Sequence, residues 1–172
     1  MEIDQKLIEK VIERAIEIQQ VPAPTFAEKE RAAFVLRLFQ EERLADTEMD
    51  SFGNVYARLP GAGAARALLV SAHTDTVFPA GTDLTLRWDA ERIYGPGLGD
   101  NSLGVAGLFG LLWALRRAGV ILSSDLWLVA NAGEEGLGDL FGMKAVVERF
   151  KDTPQAYIIL EGMALGQVYH RA

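Results

Sequence analysis

Three short polar segments interrupt otherwise apolar stretches of the chain, and each contains residues able to bind a metal ion or move a proton. The first contains His73 and Asp75, the second Asp100, and the third Glu134 and Glu135. Each segment lies where a buried strand would stop or where a glycine-bearing loop would begin. In an open α/β sheet, ligands bind in the crevice outside the carboxyl ends of the strands. The pattern therefore predicts a metal site assembled from several strand ends.

Each of these motifs is weak by itself. His73 and Asp75 on an extended segment place both side chains on one face, because side chains alternate with period two, but such a pair is also common on protein surfaces. Glu134 and Glu135 fit two solvated acids as well as one metal ligand beside one general base. The glycines before Asp100 superficially resemble a dinucleotide-binding loop, yet a carboxylate at its third glycine position would repel a pyrophosphate. A nucleotide site is therefore disfavoured.

The composition restricts the class of protein and the kind of metal site. Of 172 residues, 49% are hydrophobic and 24% charged, which is typical of a soluble globular domain. The net charge of −7 argues against nucleic acid and against an anionic membrane as partners. The chain has no cysteine, so any metal must use histidine and carboxylate ligands. We expect no apolar run long enough to span a membrane and no signal peptide, and therefore a cytoplasmic protein.

The hydrophobic pattern predicts the elements that must position these residues. Apolar residues at helical spacing predict helices at about residues 3–19, 28–43, 102–118 and 140–150. The third is apolar almost all round, which is typical of a buried helix. Apolar runs predict strands at 46–50, 54–59, 67–72, 125–131 and 156–160, with a further hairpin at 84–88 and 92–94. Thr25 and Glu28 have the spacing of a capping box at the start of the second helix.

Taken together, the motifs resemble a known family. Segments 69–77, 94–101 and 132–136 are similar to the three signatures of the co-catalytic zinc metallohydrolases, which include peptidase T, glutamate carboxypeptidase, aminoacylase, acetylornithine deacetylase and succinyl-diaminopimelate desuccinylase. The resemblance implies a zinc-exopeptidase-like (phosphorylase/hydrolase-like) α/β fold, a three-layer αβα arrangement with a mostly parallel central sheet and an edge β-hairpin. Another co-catalytic zinc exopeptidase family on a related sheet would use similar ligands, but the motif spacings favour the family named here.

The resemblance also implies a metal-ligand set and a cofactor. The metal ligands that it implies are His73, Asp100, Glu135 and Glu161. Asp100 would bridge two Zn²⁺ ions, with Co²⁺ or Mn²⁺ as substitutes, because nitrogen and oxygen ligands suit these metals. The peptide bond between Asp100 and Asn101 would be cis.

The catalytic roles and the substrate follow from the same resemblance. Asp75 would orient His73, and Glu134 would be the general base that takes a proton from the attacking water. The substrate would be a peptide or an N-acyl amino acid. In this family a glutamate at the Glu161 position goes with carboxypeptidases and deacylases such as deacetylases, and an aspartate with aminopeptidases.

The length of the chain raises a separate expectation. Family members are longer, so residues 1–172 would form the N-terminal portion of the catalytic domain, without the lid or dimerisation domain and the C-terminal catalytic segment. The absent part would carry the last histidine ligand of the second metal, and we do not expect His170 to replace it. Two functions follow: a metal-dependent amide hydrolase, impaired in this fragment, or an inactive metal-binding or scaffold fragment. A homo-oligomer is also expected to be possible, because the family often dimerises.

Overall fold

The computed structural model describes residues 4–162 and 166–169 as a sheet flanked by helices. The helices are α1 (Gln5–Gln19), α2 (Lys29–Glu41), α3 (Leu103–Arg117) and α4 (Phe141–Phe150). The strands are β1 (Ala45–Met49), β2 (Val55–Leu59), β3 (Leu68–His73), β4 (Arg87–Trp88), β5 (Ile93–Tyr94), β6 (Leu126–Asn131) and β7 (Ala156–Ile159). Each lies within a few residues of the element that the apolar pattern predicts.

The five long strands form one sheet in the order β1-β2-β6-β3-β7. β6, β3 and β7 run parallel, β2 is antiparallel to β6, and β1 is antiparallel to β2. Four of the five strands therefore point the same way, and the predicted mostly parallel sheet with an edge β-hairpin is confirmed. His73 pairs with Asn131 at the end of the β3–β6 ladder. The loops that follow these two parallel strands consequently leave from the same edge of the sheet.

Side chains alternate between the two faces of the sheet and separate two hydrophobic clusters. In β3, Val70 and Ala72 pack with residues of α1, α2 and α3, whereas Leu69 packs on the opposite face with Val129 and Val146 of α4. Helices therefore cover both faces, and the predicted three-layer αβα arrangement is confirmed. The predicted second hairpin is shorter than expected: β4 and β5 pair only two residues each and form a separate two-stranded sheet.

Helix α3 lies at the centre of the larger cluster. It packs against α1 and β3, and the ring of Phe109 is fully buried and stacks on Phe39 at 4.9 Å between centroids. By length and composition alone, the stretch Leu98–Arg117 could cross a membrane, so the expectation that no apolar run is long enough was wrong. Half of that stretch is buried inside the fold, which is also typical of the core helix of a soluble protein.

We expect Phe109→Ala to lower the free energy of unfolding by about 3–5 kcal/mol, because truncation of a fully buried aromatic ring loses its transfer free energy and leaves a cavity. The measurement is urea denaturation of the metal-free protein. Ile121→Ala is the control, because Ile121 is 84% exposed and a surface substitution changes stability by about 0.5 kcal/mol or less. Equal effects of the two substitutions would contradict this description of the core.

Candidate metal centre

The predicted site residues gather at the carboxyl edge of the sheet. His73 is the last residue of β3, and Asp75 follows two residues later. The remaining four lie in three loops: Asp100 in the segment before α3, Glu134 and Glu135 after β6, and Glu161 after β7. Parallel neighbouring strands place the loops after them side by side, which is why residues far apart in sequence meet here.

The Nε2 atom of His73 faces three of these carboxylates. It lies 2.9 Å from Oδ1 of Asp100, 3.6 Å from Oε1 of Glu161 and 4.0 Å from Oε2 of Glu134. The atom is buried and has no hydrogen-bond partner, because even its approach to Asp100 lacks hydrogen-bond geometry. A buried polar atom left without a partner costs free energy. The structure thus holds an imidazole nitrogen and carboxylate oxygens around a common space, which is the donor set of a divalent cation.

Among the residues that the structure describes, two groups of side chains have donor atoms close enough to hold a metal ion. In each group, one donor atom of every residue lies within 4.8 Å of the others. One group is His73, Asp100 and Glu161, and the other is His73, Glu134 and Glu135. All three members of the first group are ligands that the resemblance implies. The second combines the expected ligand Glu135 with Glu134, the expected base.

The other ring nitrogen of His73 is held by Asp75. Nδ1 lies 3.1 Å from the main-chain oxygen of Asp75 and 3.4 Å from its carboxylate Oδ1. A histidine held at one nitrogen presents the other in a fixed orientation. Burial alone would lower the pKa of His73, but the hydrogen bond to Asp75 and the charges of Glu161, Asp75 and Glu134 raise it to about 9. The site therefore attracts positive charge.

Asp75 connects this histidine to the loop that carries the two glutamates. Its buried carboxylate accepts hydrogen bonds from the backbone N–H of Glu134 at 2.9 Å, the backbone N–H of Glu135 at 3.0 Å and the hydroxyl of Thr25 at 2.9 Å. Burial raises the pKa of Asp75, but these hydrogen bonds and His73 hold it below its usual value. The group is therefore a fixed anion.

The predicted capping box of Thr25 and Glu28 is wrong. Helix α2 begins at Lys29, and the side chain of Glu28 forms no capping hydrogen bond. Instead Glu28 Oε1 accepts from the N–H of Phe26 at 2.9 Å and of Gly133 at 3.2 Å. Because the helix begins four residues after Thr25, the two residues do not cap it together, and both form hydrogen bonds with the site loops instead.

Two more positioning residues were not identified from the sequence. Arg31 is buried and donates to the main-chain oxygens of Val21 and Thr74, both at 2.8 Å. Burial lowers its pKa to about 10, so it stays cationic near neutral pH. Asn54 accepts from the N–H of Ala132 at 3.0 Å and thereby supports the loop of the two glutamates. Asn54 is the first residue of the predicted strand at 54–59, and nothing in its local pattern indicates this contact.

The segment around Asp100 confirms one expectation. The peptide bond between Asp100 and Asn101 is cis. The amide of Asn101 donates to the main-chain oxygen of Leu160 at 2.9 Å, next to Glu161. This hydrogen bond links the loop of Asp100 to the loop of Glu161. His170 lies outside the described residues.

The two glutamates after β6 differ from ordinary surface acids. Both are partly buried, and burial raises the pKa of each, with the charge of Asp100 and other acids adding to the effect. His73 opposes the rise in both. A carboxylate whose pKa is raised toward neutrality is better suited to exchange a proton during catalysis.

Comparison with known proteins assigns the chain to a family. Residues 54–168 match the model of peptidase family M28, and the chain belongs to this family. It is also 32% identical over 110 residues to allantoate deiminase 2 of Glycine max, an alignment that covers 62% of this chain and 20% of that protein. The predicted resemblance to metallopeptidases and related amidohydrolases is confirmed.

Solved structures of peptidases share the fold. Aminopeptidase PepT of Bacillus cereus has a TM-score of 0.77 at 22% identity, and the match covers 91% of this chain and 44% of that one. A Staphylococcus aureus tripeptidase has a TM-score of 0.70 at 18% identity, with the same coverage. A dinuclear metal-binding peptidase of the M20 family from Bacillus subtilis has a TM-score of 0.62 at 16% identity, covering 91% and 43%. This chain thus spans less than half of these structures.

We expect Asp75→Asn to lower the free energy of unfolding of the metal-free protein by about 1–3 kcal/mol, because an amide cannot accept all the hydrogen bonds that the buried carboxylate accepts. It should also weaken Zn²⁺ binding about 10–100-fold, because His73 loses its orienting partner. Urea denaturation and calorimetric titration measure the two effects. The control is Asp152→Asn, in an exposed turn. Unchanged stability and affinity in Asp75→Asn would refute the role assigned to this residue.

Proposed function

We propose that this chain carries the ligands and the general base of a metal-dependent hydrolase that cleaves an amide bond in a peptide or an N-acyl amino acid. The observation that carries the proposal is the buried Nε2 of His73, which lacks a hydrogen-bond partner and faces the carboxylates of three separate loops. Membership of peptidase family M28 supports metal-dependent peptide hydrolysis as the general reaction. Zinc, the dinuclear state and the full substrate range are parts of the proposal.

His73, Asp100, Glu135 and Glu161 would hold the metal, with Zn²⁺ the best fit to one imidazole and several carboxylates. A bound divalent cation would lower the pKa of a water and polarise the amide carbonyl. Asp75 keeps the imidazole oriented throughout, since its carboxylate and main-chain oxygen both face Nδ1. The negative potential of the cluster also attracts a cation in the first place.

Glu134 would take the proton from the attacking water and then pass it to the leaving nitrogen. Its side chain is one-third exposed, so that its carboxylate both faces His73 and is accessible to solvent. Its backbone N–H is tied to Asp75, which fixes the position of the base relative to His73. Burial raises the pKa of Glu134 above its usual value, which makes its carboxylate a stronger base.

A second substrate class is favoured by the match to allantoate deiminase 2. The name of that relative makes allantoate a substrate to test beside dipeptides and N-acyl amino acids. Hydrolysis of allantoate alone would select this second function.

We expect the protein to retain about one zinc per chain after Zn²⁺ loading and desalting, because three side chains suffice for one such site. The second ion of the proposed dinuclear state would lack the histidine ligand that the resemblance implies. Glu161→Ala should retain much less, since its carboxylate faces His73 in the first ligand group. Elemental analysis measures the content. Glu148→Ala, which changes an exposed glutamate of α4, is the control. A wild type without zinc, or a Glu161→Ala variant that loads fully, would contradict the proposed centre.

The substitution Glu134→Gln tests whether Glu134 is the general base or a metal ligand. Hydrolysis of a dipeptide or N-acyl amino acid with Zn²⁺ or Co²⁺ should fall by about 10²–10⁴-fold, while the metal content stays at the wild-type value. A parallel loss of metal would instead make Glu134 a ligand. A wild type that binds metal but cleaves nothing would favour the inactive metal-binding alternative.

A further inference from the structure

An apolar hollow of about 350 Å³ opens beside the proposed metal centre. Its walls are three short segments, residues 24–26, 76–79 and 135–137. Glu135, a proposed metal ligand, lies at the junction between the hollow and the centre. The volume is at the low end of the range for ligand sites, about 300–1,000 Å³, so the hollow suits one side chain or one acyl group.

Large apolar side chains are exposed around this hollow. Phe26 and Val77 are each 65% exposed, and Leu137 is 92% exposed. Within the three described wall segments, Glu135 is the only ionisable residue. Exposed apolar side chains that converge on one place mark a binding surface rather than a random scatter.

The wall that contains Phe26 is held in place by the fold. Phe26 has a φ of +72°, in the left-handed region that an aromatic residue rarely adopts. Its N–H donates to Glu28 Oε1, and its ring stacks on Phe141 at 5.8 Å between centroids. A parallel bridge joins residue 24 to Thr76, with the N–H of Thr76 donating to the oxygen of Ala23 at 2.9 Å. The exposed ring is therefore fixed and does not result from a frayed loop.

The contacts that hold Phe26 in place also connect the hollow to the proposed base. Glu28 Oε1 also accepts from the N–H of Gly133, the residue before Glu134. Gly133 has a φ of +60°, and a Cβ there would lie 1.8 Å from the ring of Phe141, so only glycine fits. One aromatic ring thus packs against both the wall of the hollow and the loop of the base. A group in the hollow would be held at a fixed distance from Glu134.

We propose that this hollow binds the apolar side chain next to the scissile amide, so that the enzyme prefers apolar over acidic substrates. The proposal rests on the proposed function, because it names the substrate class of that site. Apolar walls stabilise an apolar group by burial. An acidic group would lose hydration without a cationic partner in the walls, and it would be repelled by Glu135 and the neighbouring carboxylates.

The test compares N-acetyl-leucine with N-acetyl-aspartate, which share the acetyl amide and differ in the side chain. We expect the wild type with Zn²⁺ to favour the leucine compound in kcat/KM by about 10–200-fold. Val77→Lys, which places a cation in the wall, should reduce that ratio at least tenfold with an unchanged metal content. Ile121→Lys is the control, because Ile121 is also an exposed aliphatic residue but lies before the amino end of β6, at the opposite edge of the sheet.

An unchanged ratio in Val77→Lys, or a wild-type preference for the aspartate compound, would overturn the proposal. If the wild type cleaves neither compound, the proposed function fails for these substrates. A binding experiment then tests separately whether the hollow is an apolar subsite. The metal-free protein is then titrated with each compound while the methyl signals of Val77 and Leu137 are followed by NMR. Shifts with N-acetyl-leucine alone support the hollow as an apolar subsite, and no shift, or equal shifts with both, overturns it.

Discussion

The buried carboxylate of Asp75 holds together the parts of the chain on which the candidate metal centre depends. It accepts hydrogen bonds from the segment before α2, through Thr25, and from the loop after β6, through Glu134 and Glu135. It also faces His73 at the end of β3. One anion therefore sets the position of the proposed ligand relative to the proposed base. The four neighbours keep that anion ionised despite its burial, which is the condition for a buried charge to be tolerated.

The charge balance around Asp75 extends to a second buried group. Arg31 lies inside the same region, and the charge of Asp75 opposes the fall in pKa that burial imposes on the guanidinium. Its donors satisfy the main-chain oxygens of Gln19, Val21 and Thr74. Thr74 lies between His73 and Asp75 in the sequence, so Arg31 stabilises the backbone that carries both of these side chains. Removal of one member of such a set leaves an uncompensated buried charge.

The arrangement of the sheet explains why the candidate metal centre and the apolar hollow lie next to each other. Because β6, β3 and β7 are parallel neighbours, the loops after them leave from one edge. The end of β3 supplies His73, and the loop after it supplies Asp75 and continues into the apolar wall at 76–79. The loop after β6 supplies the two glutamates and continues into the wall at 135–137. The same backbone segments therefore position the proposed reacting groups and the hollow beside them.

The sequence by itself predicted most of the helices and strands, because these depend on local apolar patterns, and its motifs and their resemblance to a family supplied the candidate residues of the centre. Apolar runs predict buried strands, and polar residues directly after them predict a site at the carboxyl edge. The roles of Thr25, Glu28 and Arg31 were decided only by the tertiary structure. Thr25 and Glu28 have the local spacing of a capping box, but their hydrogen-bond partners Asp75 and Gly133 are 50 and 105 residues away. Local spacing carries no information about such partners, since the packing of distant segments brings them within hydrogen-bond distance.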